Sequence, residues 1–566
     1  MDWLKKITKS GLKLMTYKKN LGMRMIGHAL CAMLMVVLCQ MVHAQGTSYY
    51  EDTQFDPFQR KLYFVGRQRP HTTIRSYDLD ELRQFYNLDS LIYSGMEGSW
   101  KMNTRFKVFN DFFNDDFLSW RKADSSVYVA INPMFDLSLG VDKNQTEAAK
   151  TWVNSRGFYI NGNLGRNFWF YCDFSENQAV YADYYNNLTD SLKVVPGQSN
   201  YKKANRYAED YDFQVANGYI SFNIGKYVNL LVGKTKTFVG DGYRSLLLGD
   251  ASCAVPTFRL NLKILKAKYT MMVTQLRASE TVISNDGQRT KYSFSHFLDW
   301  NMGRRVTLGV FENVTQCTWR KSGGYRGIDL EYLNPFIIFR PGEYNAGSPD
   351  KMLVGATGKV VCTNWLTVYG QIMFNEFRIK ELFGGNDYWS NKYGFQFGIK
   401  TFDIFMVDGL DVQLEYNQIR PFCYSQYDAM GNYTHHKQSM AHPLGANLRE
   451  GIGIVNYHHG RIAARMQVNV TQYGDDFPGD TISYGHNPNI ASMKRNSQYG
   501  VKMQQGLKTD LRYFDLSAAY IINPRNMMNV TAGVRIRKRT SERTNEESKN
   551  FYVSLRWSLK SHYYDY

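Results

Sequence analysis

The chain has 566 residues, a net charge of +17 and a mean hydropathy of −0.44. Its length allows several soluble domains or one large barrel. After residue 44 no stretch reaches the roughly 20 apolar residues that a membrane-spanning helix needs, which excludes a helical membrane protein. The low mean hydropathy does not exclude a membrane β-barrel, because half of each barrel strand faces water. Aromatic residues, 15% of the chain, suit the interfacial girdles of such barrels.

Residues 1–44 are predicted to be an export signal that is cleaved between Ala44 and Gln45. Seven basic residues and one acidic residue precede the apolar run Ala29–Leu38, and a small residue stands before the cut. Removal of this signal lowers the net charge from +17 to about +11. Nucleic acid is a poor partner for an exported protein, so the remaining positive charge is expected to meet anionic glycans or phosphates.

Residues 45–120 show little two-residue periodicity. Within them Asp78–Ser94 has the apolar spacing of a short amphipathic helix. This segment is therefore expected inside or beneath a barrel, as a plug or a periplasmic element that is partly helical.

From residue 121 to residue 566 the sequence predicts β-strands. Tight-turn residues at Gly165–Asn167, Gly225–Lys226 and Asp408–Gly409 each separate two strand-like runs, as in β-hairpins. Longer polar stretches lie between the hairpins, at 185–211, 278–291, 425–440, 474–496 and 540–550. Short turns at one end and long loops at the other are typical of outer-membrane barrels, and the spacing predicts about 18 strands.

The strands separate an apolar face from a polar face. Leu410, Val412, Leu414 and Tyr416 alternate with Asp411, Gln413, Glu415 and Asn417, and the same period recurs in 462–471, 528–537 and 551–560. A small soluble barrel would need an apolar interior. Charged and amide side chains instead indicate a water-filled or plugged lumen with lipid on the apolar side. The alternative is an aromatic-rich soluble β-protein.

These patterns predict an all-β fold, an antiparallel transmembrane barrel of the outer membrane, with a short and partly helical N-terminal segment inside or under it. Its expected partners are the lipid bilayer and, during biogenesis, the outer-membrane barrel assembly machinery.

Four parts of the chain combine Gly, Pro or Asn with charged residues more densely than strands require. Twelve of their side chains are candidate lumenal or ligand-binding groups: Arg156, Glu176, Asp241, Arg244, Asn334, Arg340, Glu343, Asp350, His442, Asn447, Arg449 and Glu450. In the lumen they could form an ion-pair network or hold a sugar. Inward charges are also common braces of a barrel wall, and this alternative stays open.

The sequence carries no enzyme signature, since it contains no GxSxG, P-loop or HExxH pattern. The pairs His435–His436 and His458–His459 would face opposite ways on a strand and chelate poorly. The cysteines after the signal are isolated and odd in number, which favours neither a disulfide framework nor a zinc site. We therefore predict a non-enzymatic protein with no metal or cofactor.

At the four motifs the chain resembles a family of Bacteroidota outer-membrane proteins, the RemB gliding-motility and Wzi-type capsule assembly proteins. The matching segments are NSRGFYINGNLG, FYCDFSENQ, FVGDGYRSLLLGD, EYLNPFIIFRPGEYNAGSPDKMLVG and AHPLGANLREGIGI, within about residues 50–566. Lys351 and Leu448 depart from the pattern, which has Asn and Phe there. The resemblance implies a monomeric barrel of about 18 strands with a non-enzymatic role at the cell surface.

Two functions follow as expectations. The first is binding or anchoring of surface polysaccharide during capsule assembly, with Arg and Lys pairing with acidic sugars and Tyr and Trp stacking on sugar faces. The second is a diffusion porin with a basic, anion-favouring lumen.

Overall fold

The protein is described here by a computed structural model. It covers residues 49–50, 69–75, 77–78, 81–82, 84–85, 104–124, 126–144, 148–165, 167–203, 210–278, 289–318, 324–334, 350–376, 378–382, 384–524, 526–557 and 562–566. Of the predicted elements, most of the helix over Asp78–Ser94 lies outside these residues; Glu81 and Leu82 are helical.

Eighteen long strands form a closed antiparallel barrel, which confirms the predicted fold class and strand number. In chain order they are β1 Val127–Asn144, β2 Ala148–Leu164, β3 Phe168–Val180, β4 Tyr211–Ile224, β5 Val228–Thr235, β6 Val255–Ile264, β7 Ala267–Arg277, β8 Thr290–Asn301, β9 Val306–Cys317, β10 Lys351–Val361, β11 Leu366–Glu376, β12 Lys392–Thr401, β13 Leu410–Ile419, β14 Leu448–His459, β15 Ile462–Asp475, β16 Leu507–Asn523, β17 Met528–Ser541 and β18 Asn545–Trp557. The barrel closes where β18 pairs with β1.

Shorter elements accompany the barrel. The helices are α1 Lys107–Asn114, α2 Asp183–Leu192 and α3 Ile379–Leu382; 3-10 turns lie at Leu330–Leu333, Ile404–Met406, Ala429–Gly431 and Ser492–Lys494; short strands lie at Tyr49–Tyr50, Ile74–Arg75, Tyr77–Asp78, Leu118–Arg121, Lys202–Lys203, Phe238–Val239, Thr434–His435 and Gln438–Ser439. No helix in the described part of the chain is long and apolar enough to cross a membrane.

The two ends of the barrel differ in their connections. At one end, here the short-turn end, eight connections have between two and eight residues, as in 265–266 and 402–409. At the other, the long-loop end, seven of the nine connections have between 12 and 33 residues, as in 318–350, and two have three residues. This asymmetry is the one that the sequence predicts for an outer-membrane barrel.

Side chains alternate between the two faces of the wall as predicted. On β16, Leu516 and Tyr520 are exposed on the outside, whereas the alternate residues Asp515, Ser517 and Ala519 are buried on the lumen side. Leu414, Val530 and Val553 are likewise exposed on their strands. The apolar face therefore points away from the lumen, where it can meet hydrocarbon.

The last strand is described up to Trp557, which pairs with Phe135 on β1. The two-residue period of the sequence runs on to Lys560, but residues 558–561 lie outside the described part. His562–Tyr566, here the terminal segment, lies in the lumen, where Tyr564 packs against a cluster of buried tyrosines.

Residues before the barrel contact its interior from the short-turn end. The carbonyl oxygen of Arg69 accepts a hydrogen bond from Asn301, at the end of β8. Further along, Ile74–Arg75 pairs with Phe238–Val239, which lies in the long connection between β5 and β6. The two segments thus meet within the barrel and fill part of its cross-section.

Helix α1 lies elsewhere, against the outer wall at the short-turn end. The ring of Phe112 meets the ring of Trp557 edge-on at 4.4 Å, and the Asn523 side chain donates to the Phe112 carbonyl oxygen. Trp557 follows the outward period of β18 and is buried under this helix. Phe106 and Phe109 are exposed, as expected for a helix at a membrane interface.

A buried carboxylate holds the N-terminal segment to the short-turn end. Glu81 lies 2.9 Å from the Lys268 amine and 3.2 Å from that of Lys263. Burial alone would raise the pKa of the Glu81 carboxyl, but Lys268, Lys263 and His71 outweigh it and hold that pKa below its ordinary value of 4.5. A depressed carboxyl pKa stabilises the folded state above that ordinary value, and the stabilisation falls as pH drops below it.

We therefore expect acid to loosen this segment. The Gly240 amide donates to the Thr73 carbonyl oxygen, and its protection factor should be high at pH 7 and fall below about pH 4. In the Glu81→Gln variant this protection factor should already be low at pH 7 and change little with acid. Hydrogen-exchange mass spectrometry checks both, and equal pH dependence in the two proteins would contradict the role of Glu81.

A charge on the outer face should destabilise the barrel according to depth. Leu516→Arg, midway along β16, is expected to cost about 2–4 kcal/mol of unfolding free energy in lipid. Asp510→Arg, on the same face near the long-loop end, is the matched control and should cost about 0–1 kcal/mol. Urea unfolding in phospholipid vesicles measures both, and equal costs would argue against lipid contact at Leu516.

Candidate functional site

The connection between β5 and β6 folds into the lumen instead of projecting outward. Its Leu246 N–H donates to the side-chain oxygen of Gln371 on β11, and the Gln371 amide donates back to the Val239 carbonyl oxygen. Gly240 sits at φ 128°, and a Cβ there would lie 2.0 Å from the Gln371 amide nitrogen. Glycine is favoured at this position because an L residue with a side chain is strained at this φ, and the Gln371 side chain would also have to move.

This loop places Arg244 at the centre of a buried charge cluster. Glu415 on β13 accepts the backbone N–H groups of Tyr243 and Arg244, at 2.6 and 3.0 Å. The Arg244 guanidinium is 3.2 Å from Glu450 on β14 and 3.0 Å from Asp565 in the terminal segment. With Arg244 only 1% exposed, these contacts are well shielded from solvent.

The AHPLGAN motif completes the cluster from another loop. His442 lies 2.7 Å from Glu450, which also accepts a hydrogen bond from Asn417. Asn447, the last residue of the motif, adopts a φ of 56° and donates to the carbonyl oxygens of Gly474 and Gln505. His442 thus joins the charge cluster, whereas Asn447 links its own loop to the end of β15 and to the connection between β15 and β16.

Asp241 forms a second buried ion pair in the same loop. Its carboxylate is 2.8 Å from the Lys359 amine on β10, and that amine also donates to Thr72 of the N-terminal segment. Asp241 therefore ties the loop, the wall and the N-terminal segment together.

The terminal segment brings a carboxylate to polar groups of β15. Asp565 accepts hydrogen bonds from Gln467 at 2.8 Å and Asn469 at 2.7 Å, and from the Tyr243 hydroxyl at 3.0 Å. Tyr184, on α2, donates to the Tyr564 carbonyl oxygen at 2.9 Å.

Three arginines on β17 form a row on the lumen side, here called the arginine ladder: Arg535, Arg537 and Arg539. Arg535 lies 4.0 Å from the centre of the Tyr552 ring and 3.9 Å from that of Tyr564. Arg537 covers the Tyr184 ring at 4.6 Å. Arg539, nearest the long-loop end, pairs with Asp475 at 2.8 Å.

A small cavity borders the ladder. Its volume is about 50 Å³, enough for a few water molecules. Five tyrosines and two arginines contribute to its lining: Tyr181, Tyr184, Tyr185, Tyr552, Tyr564, Arg535 and Arg556. Flat rings beside guanidinium groups are suited to sugars that carry acid groups.

Three candidates lie on the outside of the barrel instead of in the lumen: Arg156, Glu176 and Arg449. All three are exposed, and Arg156 stands opposite Glu176 on neighbouring strands. Neighbouring residues of a strand point to opposite faces of the wall. Ser155 next to Arg156 and Glu450 next to Arg449 point into the lumen, so the two arginines point outward.

The described part of the connection between β9 and β10 also packs outside the lumen, at residues 324–334. Tyr332 packs against Phe294 and Val314, and its hydroxyl donates to Asp350 at 3.1 Å. Asp350 also pairs with Arg326 at 2.8 Å, whereas Asn334 is exposed. The remaining candidates, Arg340 and Glu343, lie outside the described residues.

Among the described residues, no group of three His, Cys, Asp or Glu side chains could hold a metal ion. The His435 ring accepts the backbone N–H of Arg277 at 3.0 Å, which gives it a structural contact on β7.

The sequence interpretation missed Asp565 and the arginine ladder as site residues. The ladder had a signal, because its members are spaced by two on the polar face of β17. Asp565 had none, because the strand period of the preceding residues does not show where the chain turns inward.

The alternating wall, the polar and filled lumen and the unequal ends define the class of outer-membrane β-barrels. The fold is similar to that of Wzi from Escherichia coli, an outer-membrane carbohydrate-binding β-barrel involved in group 1 capsule assembly: the TM-score is 0.53 and the identity 12%, over 91% of this chain and 100% of that one. At this identity the likeness concerns the fold alone.

Two further structures align less well. OprD of Pseudomonas aeruginosa has a TM-score of 0.38 and 8% identity over 75% of this chain and 94% of its own. OccAB2 of Acinetobacter baumannii has a TM-score of 0.40 and 9% identity over 76% of this chain and 98% of its own. No protein-family model and no curated protein matches the sequence.

Breaking the charge cluster should cost stability. Arg244→Met leaves Glu450 and Asp565 buried beside an apolar side chain, which should cost about 3–5 kcal/mol. The control Arg449→Ala, next to Glu450 but exposed, should change stability by about 0.5 kcal/mol or less. Urea unfolding in lipid vesicles compares them, and an Arg244→Met cost as small as that of the control would contradict the cluster's role.

Proposed function

We propose that this protein resides in the outer membrane, with its long-loop end toward the cell surface, and binds anionic surface polysaccharide without catalysis. The observation that carries the proposal is the arginine ladder, which leads from the tyrosine-lined cavity to the long-loop end. A role in capsule assembly is supported by the fold likeness to Wzi, whose description includes carbohydrate binding.

The chemistry of the ladder suits acidic sugars. A guanidinium forms charge-assisted hydrogen bonds with a carboxylate, often in pairs. Tyr184 and Tyr552 offer ring faces beside these arginines, on which the apolar faces of a sugar can stack. Arg539, at 24% exposure, is the member that an arriving glycan would meet first.

The filled lumen favours binding over diffusion. The N-terminal segment, the connection between β5 and β6 and the terminal segment all have buried contacts inside the wall. The surface-motility role of RemB-type proteins, the monomeric state and use of the barrel assembly machinery remain predictions.

Removing positive charge from the ladder should weaken glycan binding. The double variant Arg537→Gln with Arg539→Gln should bind acidic capsular polysaccharide at least about tenfold more weakly, because charged hydrogen bonds contribute about 1.5–3 kcal/mol each. Arg512→Gln, an outward arginine at a similar height on β16, is the control and should bind as the wild type does. Titration calorimetry on folded protein in detergent measures the affinities.

The cellular counterpart is capsule retention. A deletion strain should shed its capsule, and the gene for the control variant should restore retention while the double variant should not. Normal capsule in the deletion strain, or equal glycan affinity of all three proteins, would count against the proposal.

A further inference from the structure

The terminal segment occupies a binding subsite that the rest of the chain builds. Four donor groups converge on the Asp565 carboxylate: the guanidinium of Arg244, the amides of Gln467 and Asn469 and the hydroxyl of Tyr243. None of the four belongs to the terminal segment itself.

These donors are held in place by contacts that do not involve Asp565. Glu415 fixes the backbone of Tyr243 and Arg244. The Gln467 amide also donates to Asn469 at 3.0 Å, and Arg465 donates to the Gln467 oxygen at 3.1 Å. A set of donors positioned in advance on rigid elements is what a carboxylate-binding site requires.

The Arg244 charge also keeps a partner when Asp565 leaves. Glu450, on the barrel wall, remains 3.2 Å from the guanidinium and is itself held by His442 and Asn417. Departure of the terminal segment therefore exposes the donors without leaving a buried arginine unpaired.

The neighbouring tyrosines of the segment rest on surfaces that suit sugar rings. Tyr563 lies beside the Tyr243 ring, with 5.5 Å between centroids, and its hydroxyl donates to Asp250 at 2.8 Å. Tyr564 covers Arg535 and borders the cavity of about 50 Å³. That cavity is too small for a sugar ring while Tyr564 is in place, so entry of a ring requires the segment to move.

We propose that the terminal segment is an internal ligand, and that the carboxylate of an acidic sugar, of the uronic acid type, replaces Asp565 at this subsite. The inference rests on the proposed function and names its ligand class. Binding then has two parts: the glycan reaches the subsite along the ladder, and the segment is displaced from the lumen.

The test uses the full chain, folded in detergent, with tri-galacturonate as the acidic probe and maltotriose as the neutral one. Asp565→Asn removes the charge but keeps the shape, so it should weaken the internal ligand and raise affinity for tri-galacturonate about tenfold. Maltotriose affinity should not change. The control Asp510→Asn, on the outer face, should bind both sugars as the wild type does.

A second substitution tests whether the gain in tri-galacturonate affinity arises at the Asp565 subsite. Gln467→Met in the Asp565→Asn background removes one donor and should lower tri-galacturonate affinity about tenfold again. Equal tri-galacturonate affinity for wild type and Asp565→Asn would overturn the inference while leaving glycan binding intact. Failure of both folded proteins to bind either sugar would overturn the proposed function, and the inference with it.

If Asp565→Asn does not fold, displacement of the terminal segment can be tested on the wild-type protein. Saturating tri-galacturonate should speed amide hydrogen exchange at Tyr564, Asp565 and Tyr566, because the segment leaves its contacts. Unchanged or slower exchange, with tri-galacturonate bound, would overturn the displacement.

Discussion

The interior of this barrel depends on one buried guanidinium. Arg244 joins three distant parts of the chain: the connection between β5 and β6, the wall at Glu450 and the terminal segment at Asp565. A buried charge is tolerated where it is paired and hydrogen-bonded, and Glu450 on the wall provides such a partner whether or not the terminal segment is in place. The packing of the lumen combines this charge cluster with apolar burial, since Leu246, Leu247 and Leu248 of the same connection belong to a large apolar cluster with side chains of the wall.

The wall makes this arrangement possible because its apolar side chains face outward and its polar side chains face inward, the reverse of a soluble protein. Its outer face is apolar because lipid surrounds it, and the lumen can then hold rows of charges such as the arginine ladder. Segments that enter from both ends satisfy most of these charges. What remains is a tyrosine-lined cavity next to arginines, and the proposed function rests on this cavity and the ladder.

Local periodicity predicted the wall, because the face of each strand residue depends on its immediate neighbours. It could not tell which of two neighbouring charged residues faces the lumen. Arg449 and Glu450 were therefore both expected there, although neighbours on a strand point opposite ways. Unusual composition marked Arg244, His442 and Glu450, which the fold brings together. The inward course of the terminal segment could not be predicted, because it is set by partners such as Asn469 that are far away in sequence.

Planar-bilayer recording of the purified wild-type protein tests most directly whether the chain closes its own barrel. We expect membranes that contain folded protein but show no steady conductance, since the N-terminal segment, the inward loop and the terminal segment block the lumen. Large, steady, anion-selective conductance would contradict it and would identify an open, basic pore.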